Sequence, residues 1–190
     1  MLRSAAKGID MILDKTVIHG IANQRGITLV EIMVVFALIA ILSVFAVPNI
    51  IDALPNYRLK AAARDLVSNL QKAKMLALKK NCDIEVRFDT SAVPGFYYFD
   101  TTDDDTYTSG EFRWQLSTYK SGVDFGTGQA VADWNGGNCS QAASITFNSS
   151  GTAGIGNVFL ENKNQDICYA VTVLTSGSIK LRKYYTNWSS

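Results

Sequence analysis

Glu31 is the only charged residue between Ile27 and Val47, and it stands five positions after Gly26. An acidic side chain deep in a bilayer costs roughly 2.5–3.5 kcal/mol even on mild scales. The run Ile27–Val47 is 21 residues long, about the thickness of a bilayer core at ~1.5 Å per residue. A carboxylate placed there needs a use, and its chemistry is ionic: near one end of the span it stays within reach of water until a cation meets it. Gly26 offers a second chemistry, peptide-bond cleavage. A secretory signal places its apolar stretch before the cut, whereas a cut after Gly26 leaves the apolar stretch on the mature chain.

Few other residues promise catalysis. The one histidine, His19, precedes Gly26, so from Ile27 onward the chain has no imidazole. That removes the commonest general base and the commonest zinc ligand. No phosphate-binding loop and no nucleophile constellation occur, so the sequence reads as a protein without catalysis or cofactor of its own. Cys82, Cys139 and Cys168 lack metal spacing. In an oxidising compartment a Cys139–Cys168 bridge with Cys82 free is expected, and three buried thiols are the alternative. Asp100, Asp103, Asp104, Asp105 and Glu111 cluster in "DTTDDDTYTSGE", but their spacing does not match a calcium loop. A solvated hairpin tip is the simpler expectation. Trp114, Trp134, Tyr97, Tyr98 and Phe99 read as core rather than as a ligand platform. In the tail, Lys180, Arg182 and Lys183 lie among Tyr184, Tyr185 and Trp188. Cations beside rings are what a nucleic-acid contact needs. An amphipathic strand with Ile179 and Leu181 inward and Lys180 and Arg182 outward explains the same residues and is preferred.

The elements that must position these residues follow from periodicity. Residues 1–26 are polar and weakly basic, with Arg3, Lys7, Lys15 and Arg25 against Asp10 and Asp14. Lys and Arg ahead of the span place that side in the cytoplasm and everything after Pro48 outside. Met1 and Met11 both serve as starts. Beyond Pro48, Leu59, Ala63, Leu66, Leu70, Ala73 and Ala77 form one stripe of an amphipathic helix ending near Asn81. Pro48 and Pro55 each remove an amide donor and are expected to bend or loosen that helix. From Cys82 the chain turns to short alternating runs: "DIEVRF", "GFYYFD", "EFRWQLSTY", "GVDFG", "SITFN", "NVFLEN", "DICYAVTVL" and "SIKLRKYY". The expected organisation is a leader over 1–26, a membrane helix over 27–47, an amphipathic helix over 48–81 and an antiparallel β domain over 82–190. The class is α+β.

The stretch "RGITLVEIMVVFALIAILSVFAVP" resembles the N-terminal signature of type IV pilins and type II secretion pseudopilins: Gly before the cut, Glu fifth after it, Pro closing the span. Ile27 departs from the Phe usual at the first mature position. "LKAAARDLVSNLQKAKMLALKKNCDIEVRF", "SITFNSSGTAG" and "ICYAVTVLTSGSIKLRK" are similar to the minor pseudopilin GspH and the minor pilins FimT and FimU. The resemblance implies a type IV pilin-like fold and cleavage at Gly26 by a prepilin peptidase, with N-methylation of Ile27. It implies an inner-membrane prepilin with a periplasmic C-terminal domain. Partners would be other pilin or pseudopilin subunits and an inner-membrane assembly platform, with Glu31 docking near a neighbour's terminal amine. Secretion and pilus machines both fit. Some FimT-like subunits take up DNA through a basic C-terminal motif, which Lys180, Arg182 and Lys183 match only in part.

Overall fold

The computed structural model describes residues 26–102, 104–120 and 122–189, without the side chains of Phe45, Pro48 and Asn49. The leader before Gly26, the choice between Met1 and Met11, and Asp103 lie outside the described residues. The chain divides between Val47 and Pro48 into two compact units.

Helix α1 spans Leu29–Lys80. Thr28 caps its first turn, since the Glu31 amide donates to Thr28 Oγ1 at 3.2 Å. This is one half of a capping box, and it places an acid at the positive end of the helix dipole. At the other end Asn81 takes φ 52°, and the Cys82 amide turns back to the Ala77 carbonyl. The helical assignment continues through Pro48 and Pro55, although each still lacks an amide donor.

The segment expected as a membrane helix over 27–47 is helical from Leu29 onward. Among the described residues no helix is long and apolar enough to cross a membrane. Every described side chain from Ile27 to Val47 is exposed.

In the second unit the stripe Leu59, Ala63, Leu66, Leu70, Ala73 and Ala77 is wholly buried, and Ala62 joins it. It packs on two antiparallel sheets. The first orders its strands β3-β2-β1-β5, with β1 Ile84–Asp89, β2 Phe96–Asp100, β3 Arg113–Gln115 and β5 Ser144–Phe147. The second orders β4-β6-β7-β8-β9, with β4 Val123–Phe125, β6 Gly156–Asn162, β7 Cys168–Val173, β8 Ile179–Tyr184 and β9 Trp188–Ser189. Ile84, Val86 and Phe88 alternate inward from β1, as a half-buried strand requires, and Tyr169, Val171 and Val173 join the same core from β7, which is buried on both faces. At roughly 1.5–3 kcal/mol for each large side chain, this shared core is what holds helix to sheets.

Two elements differ from the sequence reading. "EFRWQLSTY" keeps only three residues as strand and then winds into a 3-10 turn, Leu116–Tyr119. Leu116 is buried there, and the turn leads the chain from one sheet to the other. The short β9 lay unread because two residues give no alternation.

Candidate functional site

Gly26 and Ile27 precede α1 and are exposed. A Cβ built on Gly26 would meet nothing within 4 Å, so no packing inside the described structure calls for a glycine. Ile27 is 71% exposed. Glu31 sits at the third position of α1, where Thr28 meets its backbone amide. Thr28 was missed in the sequence reading; its signal, Thr two residues after Gly26 and three before Glu31, is the capping-box spacing.

Four polar joints fix α1 on the sheets. Tyr119 Oη donates to the Asp65 carboxylate, and Trp114 Nε1 donates to Tyr119 Oη at 3.2 Å. Asn69 Nδ2 donates to Tyr97 Oη at 2.7 Å. Asn162 Nδ2 donates to Asn56 Oδ1 at 2.7 Å, and Lys74 Nζ donates to the Gly177 carbonyl at 2.9 Å. Burial pushes the Tyr97 and Tyr119 phenols above their ordinary range, and Asp65 adds to the shift at Tyr119. Both phenols therefore stay protonated and serve as neutral hydrogen-bonding groups.

The described residues Thr101, Thr102 and Asp104–Tyr107 of the acidic hairpin are exposed, as a solvated tip requires, but the acid at its base is not. Asp100 is only 3% exposed. Glu85, Asp100 and Asp105 bring carboxylate oxygens within 4.8 Å of one another, a spacing a metal ion could use. Arg87 occupies that position: Nη2 lies 3.0 Å from Glu85 and Nε 3.4 Å from Asp100, and Nη2 also pairs with Asp105. Desolvation works against the Arg87 charge, and Glu85 and Asp105 outweigh it. Asp100 also accepts from the Thr102 and Asp105 amides at 3.2 and 3.0 Å. The guanidinium supplies the counter-charge, and the cluster reads as a structural device.

All three cysteines are free, so the expected Cys139–Cys168 bridge is not formed in this structure. Phe159, Cys168 and Ala170 make a second small core, against which Trp134, Cys139, Tyr184 and Trp188 pack. Burial first, then Cys139 and Glu161, pushes the Cys168 thiol up to about 12. The trio Lys180, Arg182 and Lys183 does not form one patch. Thr172 faces Lys180, Ala170 faces Arg182 and Tyr169 faces Lys183 across β7 and β8. The period of two therefore sends Lys180 and Arg182 to one face and Lys183 to the other. Arg182 stacks over Trp134 at 4.8 Å, while Lys183 lines a groove with Tyr57, Lys60 and Tyr169.

Taken together, these features describe an α+β protein whose long helix is capped at an acidic first turn and locked to two sheets. The family described as type II transport protein GspH matches residues 62–177. The prokaryotic N-terminal methylation motif matches residues 21–47. The chain belongs to the GspH family. Among solved structures, the minor pseudopilin EpsH from the type 2 secretion system of Vibrio cholerae aligns at 19% identity and a TM-score of 0.44, covering 65% of this chain and 95% of that one. Comparison with curated proteins returned no match.

Proposed function

We propose that this protein is a minor subunit of a type II secretion pseudopilus, made as a membrane-anchored prepilin, cut after Gly26 and methylated on Ile27. The observation that carries this reading is the methylation motif over residues 21–47 standing directly ahead of a GspH region over 62–177. The free space around Gly26 supports it, since a glycine that nothing among the described residues requires fits a substrate position in a peptidase cleft. The exposed apolar side chains of Ile27–Val47 support it as well. Water does not tolerate a surface of that kind, so lipid or neighbouring helices would cover it. Glu31 would then meet the terminal amine of a neighbouring subunit and set the register between helices. Prepilin peptidase, sibling pseudopilins and an inner-membrane assembly platform are the partners. The DNA-uptake alternative loses its support where Lys183 parts from Lys180 and Arg182.

Mass spectrometry of the protein produced with and without a prepilin peptidase tests the reading. The expected mature chain begins at methylated Ile27 and stays in the membrane fraction. A chain that keeps residues 1–26 in the presence of the peptidase, or that begins after Pro48, would contradict it.

A further inference from the structure

Charge is segregated along this chain. Segments 53–80 and 179–184 together hold ten Lys or Arg and a single acid, Asp65, whose carboxylate accepts from Tyr119. The intervening β segments, 82–178, hold twelve acids and four bases. The fold brings part of the basic set to one side. Lys60 and Lys183 line one groove between α1 and the second sheet, Arg64 lies close enough to Tyr169 to act on its phenol, and Lys74 reaches the Gly177 carbonyl at the start of β8.

Strand β8 is open on that side. Its outer neighbour β9 pairs only at Lys183 and Tyr184, so among the described residues Ile179–Arg182 have a strand partner in β7 alone. An unpaired strand edge presents backbone donors and acceptors to any extended chain that approaches. Basic side chains on such an edge discourage pairing between two copies, because each brings the same charge. They favour an acidic strand instead. Beside the edge, exposed Met75 lies in a groove with Gln71, Lys74, Gly177 and Ile179, giving an added strand one apolar contact.

We infer that the outer edge of β8 at Ile179–Arg182 is a docking site for an extended, acidic segment of another protein, added as a strand and held by Lys60, Lys180 and Lys183. The segment's source as a sibling subunit rests on the assembly reading; the binding itself does not. Nucleic acid is the less favoured anion. Lys180 and Lys183 point to opposite faces, which suits a strand carrying acids on both faces better than a single row of phosphates.

The test uses the purified full chain in detergent and a short synthetic peptide alternating Glu with Thr, read by amide hydrogen exchange. Protection is expected within 179–182, weakening as salt rises. It should vanish with a peptide carrying Lys for Glu and with one interrupted by Pro, which removes ladder donors. Lys60→Glu with Lys180→Glu, both at exposed positions, should weaken binding about tenfold. Unchanged exchange in β7 verifies that the variant is folded. The proposal is overturned if millimolar peptide leaves 179–182 unprotected, if the Pro-interrupted peptide protects equally, or if a single-stranded oligonucleotide protects those amides more strongly. Failure of the assembly reading is seen separately, in the N-terminal mass.

Discussion

At Glu31 two demands meet on one side chain. Its backbone amide is spent on Thr28 Oγ1, which starts the helix, while its carboxylate is exposed and forms no ion pair among the described residues. The spacing from Gly26 to Glu31 was legible in sequence because it is local and breaks an apolar run. The thiols were less legible, since a pairing depends on contacts that no spacing contains. With Cys168 buried and its thiol pushed up to about 12, only a minute thiolate fraction exists near neutral pH. Brief maleimide labelling of the folded protein, followed by peptide mass mapping, should therefore modify exposed Cys82 first and leave Cys168 unlabelled until denaturation. Rapid labelling of Cys168 in the folded state would show that the small core around it is open.

Elements carry the next set of consequences. The buried stripe of α1 was readable from its period because the same residues serve burial and helix formation. The two-sheet arrangement was not, since strand order follows long-range pairing that alternation alone leaves open. The Asp100–Glu111 hairpin shows why: its acids read as solvated in sequence, yet Asp100 and Asp105 pair with Arg87 from β1, a contact between strands. Glu111 stands against a desolvation cost, and the Thr101 and Thr108 amides, at 2.7 and 3.1 Å, hold its carboxyl below the usual range. A folded value below the unfolded one, about 4.3, means the contribution is present above that pH and is lost as pH falls through the lower folded value. Exchange at the Thr101 and Thr108 amides should thus be protected at pH 5 and lose protection in stronger acid, before β7 does. Loss of protection on going upward in pH instead would reverse the sign and refute the account.

The turn before β8 offers a sharper mutational test of how helix and sheet are joined. Gly177 has φ 71°, and a Cβ there would press on the Gly151 carbonyl and lie 2.8 Å from Lys74 Nζ. Gly177→Ala combines left-handed strain with a displaced helix–turn hydrogen bond, for a loss of about 1–3 kcal/mol in chemical denaturation. Lys74→Ala, which removes only the hydrogen bond, should cost less. Equal costs would show that backbone strain is absent from the turn.

For the whole molecule, the order of glycine, apolar run, amphipathic helix and β domain was the most legible level, because each piece follows from composition and period. What it could not display was segregation of charge in space. A net charge of +1 conceals a basic helix and β8 beside an acidic set of strands, and only the pairing of β7 with β8 shows that Lys183 leaves the face shared by Lys180 and Arg182. On the proposed reading, that division turns the edge of β8 toward acidic neighbours, and the exposed apolar side chains of Ile27–Val47 toward lipid or other helices.

The central claim is that the Glu31 charge docks the subunit rather than merely starting its helix, and Glu31→Gln separates the two roles. Glutamine preserves the backbone amide that Thr28 caps and serves equally well in a capping box, while removing the charge. The measurement is the fraction of Glu31→Gln protein recovered in sheared pseudopili beside wild-type siblings, compared with its level in the membrane. The account predicts membrane insertion at least equal to wild type, because the costly carboxylate is gone, with little or no recovery in filaments. Recovery at the wild-type fraction would contradict it.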